Sequence, residues 1–113
     1  MGLKKESRIK KNEEFQRILN LKNYVSNPSF SLYFSPKQEE KGRFGFTVSK
    51  KLGGAVKRNH IKRQVRMMIH ELSSLDEPFD LIVMVRSAYL DKDYAENKKD
   101  LEISLNKVRI KMR

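Results

Sequence analysis

Between Lys41 and His70 the chain carries nine Lys or Arg residues and neither Asp nor Glu. The 113-residue chain has a formal net charge of +11, and this window supplies most of it. Lys and Arg side chains neutralise phosphates and release bound counterions, and Arg can also hold a phosphate with two hydrogen bonds or stack on a base. Because the charge is concentrated in one stretch, the sequence predicts a surface that binds a polyanion.

The densest part of this window has the sequence AVKRNHIKRQVR, at residues 55–66. From about Lys57 the pattern is helical, and Arg58, Lys62 and Arg66 form a basic stripe at positions i, i+4 and i+8. The predicted apolar side consists of Ile61, Val65, Met68, Ile69 and Leu72. A solvated charged face is the usual outcome of such a run, but here no Glu stands four residues away to form helix ion pairs. We therefore favour nucleic-acid binding.

Two segments of alternating character, Phe30–Ser35 and Phe44–Ser49, predict strands with one buried face. The polar segment Pro36–Gly42 between them predicts a hairpin loop. The core side would carry Phe30, Leu32, Phe34, Phe44, Phe46 and Val48, and the opposite side Ser31, Tyr33, Ser35, Gly45, Thr47 and Ser49. The second side is small and polar with one aromatic ring, so an extended ligand can lie against it.

The remaining sequence completes one domain, residues 1–113, with the element order αβββαβα if a short strand at Tyr24–Ser26 is counted. Residues 1–11 hold five Lys or Arg and predict a mobile basic arm. A helix is predicted over residues 13–22 with Asn12 as its N-cap; on this helix Phe15 shares a face with Ile18 and Leu19, which taken alone favours a core position. A strand buried on both faces is predicted at Phe79–Val85, and a last helix from near Asp93. This helix would direct inward Tyr94, Leu101, Leu105, Val108 and Met112.

Catalytic chemistry within the protein has little support in the sequence. The chain has no cysteine, and its two histidines are His60 and His70. The carboxylates fall on predicted loops and exposed faces, whereas a two-metal nuclease needs carboxylates that converge on its ions. Gly53 and Gly54 lack the surrounding pattern of a phosphate-binding loop. We predict no catalytic residue, no metal site in the protein and no small-molecule substrate.

We expect no signal peptide, because the first residues are charged and no apolar run follows them, and the longest uninterrupted apolar stretch, Leu81–Val85, is too short to cross a membrane. We expect a cytoplasmic protein, and the lack of cysteine is compatible with a reducing compartment. A basic face also attracts anionic lipid, so binding to a membrane surface stays open at this point.

The chain resembles the protein subunit of bacterial ribonuclease P. The resemblance rests on Phe44–Lys51 (FGFTVSKK), the turn at Gly53 and the basic segment Ala55–Arg66, and it extends to Lys10–Phe15 and to Phe79–Arg86. It covers in effect the whole chain. It implies an α+β fold, an α/β sandwich with a mixed central sheet similar to domain 2 of ribosomal protein S5. It also implies a left-handed βαβ crossover, although such connections are usually right-handed.

The resemblance also implies an activity. In that family a large catalytic RNA cleaves precursor tRNA with Mg²⁺ to form the mature 5′ end, while the protein binds this RNA and the single-stranded 5′ leader. The implied partners are therefore the catalytic RNA subunit and precursor tRNA, and no membrane, with Mg²⁺ held mainly by the RNA and the substrate. The implied RNA-binding residues are Lys50, Lys51, Lys57, Arg58, Asn59, His60, Lys62, Arg63 and Arg66. The implied leader-binding cleft consists of Phe15, Leu19, Tyr33, Ser49 and Lys50.

Two positions depart from the family pattern. His60 stands where many members have Arg, so its contact is expected to be weaker and pH-dependent. Leu19 stands where a second aromatic residue is frequent, and it offers apolar contact instead of stacking.

The predicted function is an RNA-binding accessory subunit of an endonuclease. The alternatives are a structural ribosomal-type RNA-binding protein, which would associate with ribosomes, and a self-sufficient metal nuclease, which would cut RNA unaided.

Overall fold

The computed structural model describes residues 8–9, 12–74 and 76–112, and within these ranges it contains three α-helices, two short 3-10 helices and four strands. The helices are α1 (Asn12–Asn20), α2 (Ala55–Leu72) and α3 (Tyr94–Lys111). The strands are β1 (Tyr24–Ser26), β2 (Phe30–Pro36), β3 (Phe44–Val48) and β4 (Phe79–Val85). This αβββαβα order is the predicted one, and it confirms the short strand before β2.

The four strands form one mixed sheet in the order β1-β2-β4-β3, in which β4 pairs antiparallel with β2 and parallel with β3. The predicted hairpin between β2 and β3 is therefore wrong, because β4 lies between them. The connecting loop instead bonds to the start of β4, where the Gly42 N–H donates to the Glu77 carbonyl and the Lys37 N–H to the Pro78 carbonyl. The physical reason lies in β4 itself, whose apolar residues are buried on both faces and which therefore occupies the centre of the sheet.

The sheet has a helical layer on each side. On one side α2 and α3 cover the main core, which includes Phe30, Leu32, Phe34, Phe44 and Val48 as predicted, while Phe46 is half-buried. On the other side α1 packs on β2 and β4. The prediction that this second face is open is wrong in part, because Ser31, Ser35 and Gly45 are buried.

The helix limits follow local capping rules. Asp93 caps α3 by accepting a hydrogen bond from the Glu96 N–H, and the Glu96 carboxylate accepts one from the Asp93 N–H, which makes a complete capping box. The predicted start near Asp93 is confirmed, and so are the inward Leu101, Leu105 and Val108. In contrast, α2 begins two residues earlier than expected and has no side-chain cap, because glycine precedes it.

At Arg8 and Ile9 the predicted N-terminal arm is held against the sheet. Arg8 forms a parallel bridge with Phe44, and the Ile9 N–H donates a hydrogen bond of 2.9 Å to the Phe44 carbonyl. Ile9 is buried in a small cluster with Ile18 and Ile82. The other arm positions, residues 1–7, 10 and 11, lie outside the described residues.

Candidate nucleic-acid interface

The basic side of α2 is exposed because the opposite side of the helix is fully used in the core. Ile61, Val65, Met68 and Ile69 recur at helical spacing and are buried against the sheet and α3. The opposite side carries four exposed predicted residues, Lys57, Asn59, His60 and Arg63. The predicted stripe of Arg58, Lys62 and Arg66 lies half-buried along the boundary between the two sides. The predicted inward positions Ile61, Val65, Met68 and Ile69 are confirmed, whereas Leu72 is only half-buried.

The start of α2 brings a second set of predicted residues close to the helix. Lys50–Leu52 forms a single 3-10 turn after β3, and the Ser49 hydroxyl caps it by accepting a hydrogen bond from the Lys51 N–H. The chain then turns at Gly53, whose φ of +142° favours glycine, and a Cβ there would lie 2.6 Å from Cδ of Lys57. Ser49, Lys50 and Lys51 are exposed at this turn, beside the helix N-terminus that itself attracts anions.

Within the described part of the chain, the cations on this face have no carboxylate partners. The ion pairs found there involve Arg17, Arg43, Lys92, Lys98 and Arg109 and none of the predicted RNA-binding residues. Arg58 uses its Nε–H to donate a hydrogen bond of 3.2 Å to the Gly53 carbonyl, which fixes the stem of its side chain. The charge of the basic face is therefore not neutralised by the described residues.

Arg66 lies in an unusual environment at the far end of the stripe. Its guanidinium carbon is 5.9 Å from the centre of the Phe46 ring, a cation–π arrangement. Burial and the nearby positive charge of Arg8 lower the pKa of Arg66 from its ordinary value. The Nε atoms of both arginines are buried and have no hydrogen-bond partner among the described residues. The positive charges of both arginines at this end of the stripe favour the approach of an anion.

On the other side of the sheet, Phe15 of α1 lies directly over Gly45 of β3. A Cβ at Gly45 would stand 2.5 Å from Cζ of Phe15, so the ring occupies the space that any side chain at this position would need. Phe15, Leu19 and Tyr33 are half-buried and pack against the small cluster that contains Ile18. The structure is compatible with both predicted positions of Phe15, in the core and in the cleft. Its ring contributes to this minor core and also borders the open part of the sheet.

The structure brings together three of the five predicted cleft residues. Ser49 and Lys50 are not part of the cluster that joins Phe15, Leu19 and Tyr33, and lie beyond the end of β3. Between these groups the same face of the sheet presents half-buried Thr47 and Met84, which are paired in the β3–β4 register.

Buried charges hold α1 in this position. The Asp80 carboxylate, fully buried on β4, accepts a 2.9 Å hydrogen bond from the Arg43 N–H and lies 3.5 Å from the Arg43 guanidinium. Arg43 also donates to Glu14 of α1 at 3.0 Å, and Arg17 of α1 lies 4.0 Å from Asp80. Burial alone would lower the pKa of Arg43, but the hydrogen bond to Glu14 and the charge of Asp80 outweigh it and raise that pKa. The ion cluster thus joins α1 to the sheet.

Two residues that lie beside the predicted sites are not among the predicted site residues. Arg8 falls in the predicted mobile arm, although the isoleucine that follows it is a signal for docking. Tyr24 is predicted only as part of a short strand, yet it is 51% exposed and the centre of its ring lies 5.2 Å from the centre of the Tyr33 ring. The alternation of Tyr24, Val25 and Ser26 could have placed this ring on the same face as Tyr33.

In the described ranges, no three or more His, Cys, Asp or Glu residues are grouped so as to hold a metal ion. His60 and His70 are both exposed on α2. No described helix combines the length and apolar character needed to cross a membrane.

The known proteins that are similar to this chain, in sequence and in structure, are ribonuclease P proteins. The family described as Ribonuclease P matches residues 3–109. The ribonuclease P protein component of Bacillus velezensis is 42% identical over 102 residues, which cover 88% of this chain and 87% of that protein. The solved RNase P protein of Staphylococcus aureus has a TM-score of 0.83 and 36% identity, covering 91% of this chain and 95% of that chain. The RNase P protein of Thermotoga maritima has a TM-score of 0.74 and 24% identity, covering 90% of this chain and 94% of that chain. At this identity the similarity supports the fold alone. The chain therefore belongs to the ribonuclease P protein family, whose members are protein subunits of a ribonucleoprotein endonuclease that processes tRNA.

Proposed function

We propose that the basic face of α2 binds the catalytic RNA of ribonuclease P. The observation that carries this proposal is a helix side rich in exposed or half-exposed Lys and Arg, with no carboxylate partner among the described residues. Phosphates would supply the missing negative charge and release counterions as they bind. The residues assigned to this contact are Lys50, Lys51, Lys57, Arg58, Asn59, His60, Lys62, Arg63 and Arg66.

One RNA phosphate is proposed to bind between Arg66 and Arg8. Both side chains carry a buried Nε atom that has no partner in the described chain, and the charge of Arg8 lowers the pKa of Arg66. A phosphate held by the two guanidinium groups would offset the mutual repulsion of their charges. The Phe46 ring beneath Arg66 would keep the guanidinium in place.

The single-stranded 5′ leader of precursor tRNA is proposed to cross the sheet beside α1. Phe15, Leu19 and Tyr33 would contact its bases, since aromatic and apolar surfaces stack on unpaired bases without regard to sequence. Ser49 and Lys50, at the end of β3, would hold its backbone. The protein would then act as a single RNA-binding domain that contacts both the catalytic RNA and the substrate.

Bond cleavage is assigned to the RNA subunit. The described residues do not fit a metal centre, because they contain no suitable group of three or more His, Asp or Glu. We therefore propose that Mg²⁺ is bound by the RNA and the substrate, and that the protein favours its binding only indirectly, by holding the two RNAs together. The site of action is proposed to be the cytoplasm, where precursor tRNA is processed.

Cleavage of a leader-bearing precursor tRNA by the cognate catalytic RNA tests this proposal directly. At low Mg²⁺ the rate should rise strongly when the protein is added, whereas the RNA-free protein should not cut the substrate. Equal rates with and without the protein would contradict the proposal. Within the holoenzyme, Tyr33→Ala should weaken binding of leader-bearing substrate more than binding of mature tRNA, while Arg58→Ala should weaken assembly with the RNA subunit. Equal losses on both tRNA forms would rule out the cleft assignment.

The connection between β3 and β4 is also part of the proposed fold. β3 and β4 are adjacent and parallel, and α2 connects them in the chain. We propose that this βαβ unit is left-handed and that the sandwich is similar to domain 2 of ribosomal protein S5. A crystal structure would test the hand, and a right-handed crossover would overturn this part.

A further inference from the structure

Tyr24 forms an exposed aromatic pair with Tyr33 at the outer edge of the sheet. The two residues are directly opposed in the β1–β2 register. The centres of their rings lie 5.2 Å apart, and the angle between the ring planes is 31°. Tyr33 is half-buried against the minor core, whereas Tyr24 is 51% exposed. Directly opposed residues point to the same face, so both rings lie on the α1 side of the sheet.

This pair continues a row that crosses all four strands. In the strand register, Tyr24 is opposite Tyr33, Tyr33 opposite Ile82, and Ile82 opposite Gly45, over which Phe15 lies. Three steps between neighbouring strands span about 14 Å. Phe15 therefore borders one end of the row and Tyr24 the other, and this distance is enough for more than one nucleotide of an extended strand.

The charges around the pair indicate the chemistry of its partner. From Phe15 to Gln38 the sequence has three Lys or Arg residues and neither Asp nor Glu. Lys22, just before β1, is exposed, and so is Arg86, which donates 2.9 Å hydrogen bonds to the Ser26 hydroxyl and the Asn27 carbonyl after Tyr24. An exposed aromatic surface between cations suits a ligand with flat apolar rings and a negative backbone, which describes single-stranded RNA.

We propose that Tyr24 and Tyr33 together form a base-stacking site that extends the leader cleft beyond α1 to β1. This proposal rests on the proposed function, because the ligand is the leader of precursor tRNA. Leu19 supplies no ring, so stacking on this side of the sheet depends on Phe15, Tyr33 and Tyr24. Tyr24 then determines how many leader nucleotides the holoenzyme contacts. The competing interpretation is a purely structural pair that stabilises the β1–β2 ladder.

Binding of a leader-length series to the holoenzyme separates these interpretations. Precursor tRNAs would carry leaders lengthened one nucleotide at a time to about ten nucleotides. Tyr24→Ala should weaken binding of the longer leaders by about fivefold or more, the lower end of what one base–aromatic stack contributes. Mature tRNA and the shortest leader should bind as they do to the wild type. Tyr24→Phe, which retains the ring, should behave like the wild type at every length.

Two further variants address folding and contact. Tyr24→Leu keeps apolar contact with Tyr33 but has no ring, so it should lose the same leader affinity as Tyr24→Ala while keeping β1 in place. Ile110→Ala, which removes an exposed apolar side chain on α3, is the control for nonspecific loss. The chain has no tryptophan, so the emission of Tyr24→Trp reports this position alone and should be quenched by a stacked base.

The outcomes distinguish this inference from the proposed function. If wild-type affinity does not depend on the leader at all, the leader cleft itself is wrong. If wild-type affinity rises with leader length but Tyr24→Leu follows the same curve, the cleft stands and the stacking role of Tyr24 is overturned. Absence of quenching in Tyr24→Trp on binding of a long leader would overturn it as well.

Discussion

Replacing Gly45 with alanine tests how α1 is seated on the sheet. The new Cβ would lie 2.5 Å from Cζ of Phe15 and 3.0 and 3.2 Å from two further ring atoms. To reach an ordinary carbon–carbon contact of 3.4 Å, the ring has to retreat by about 0.9 Å, which forfeits much of its contact with the minor core.

The expected cost follows from the position of the ring. Overpacking of a filled site costs about 1–3 kcal/mol. Phe15 is half-buried and can move outward, so we expect Gly45→Ala to lower the free energy of unfolding by about 1–2 kcal/mol. Gly54→Ala is the matched control, because a Cβ there meets no atom within 4 Å and the backbone, with φ of −73°, suits alanine. It should change stability by less than about 1 kcal/mol.

Urea unfolding of a double-mutant cycle identifies the cause. In a Phe15→Ala background the clash is absent, so Gly45→Ala should be nearly neutral there, with a coupling energy of about 1 kcal/mol or more. In the holoenzyme, Gly45→Ala should weaken binding of leader-bearing precursor tRNA and leave affinity for the RNA subunit intact. Additive effects of the two substitutions would refute the contact between Phe15 and Gly45 as the cause.

Three further predictions concern the basic face, the ion cluster and pH. Arg66→Ala should lower affinity for the catalytic RNA and reduce the slope of log affinity against log salt by about one unit, as for one lost phosphate contact; an unchanged slope in a salt titration would contradict that contact. Asp80→Ala leaves Arg43 buried and only partly paired, so urea unfolding should show a loss of about 3 kcal/mol, and a neutral result would refute the anchoring role. Tyr94 donates a 2.7 Å hydrogen bond to Glu71, and burial together with this bond raises the pKa of Tyr94 to about 12. Its stabilising contribution is therefore complete below the ordinary tyrosine pKa of 10.0 and is lost as pH rises toward about 12. Urea unfolding at increasing alkaline pH should show the wild type losing more stability than Tyr94→Phe, and equal losses would contradict this assignment.

Much of the fold could be predicted because its determinants are local. The spacing of Ile61, Val65 and Met68 identifies the buried side of α2, and the nearly all-apolar segment Phe79–Val85 identifies a central strand. Asp93 followed by Glu96 marks the start of a helix. Each of these signals depends on residues within a few positions of one another, so the sequence alone contains it.

The pairing of β2 could not be predicted in the same way. Phe30–Ser35 and Phe44–Ser49 are consecutive alternating segments, and neighbouring strands in a chain often pair. Their separation by β4 results from contacts between residues far apart in sequence, such as Phe34 with Leu81 and Leu81 with Phe44. No local pattern encodes such an insertion, because periodicity indicates which face is buried and not what covers it.

In the candidate site, too, some features follow from local sequence patterns and others from contacts between residues far apart in the sequence. The sequence by itself determined the basic face of α2, since helical periodicity converts the order of Arg58, Lys62 and Arg66 into a surface. Only the tertiary structure decided that Phe15 lies over Gly45, that Tyr24 pairs with Tyr33, and that Arg8 forms a bridge with Phe44. Those arrangements depend on how separate elements pack, and packing is settled by the three-dimensional balance of burial and charge and not by the spacing within any one element.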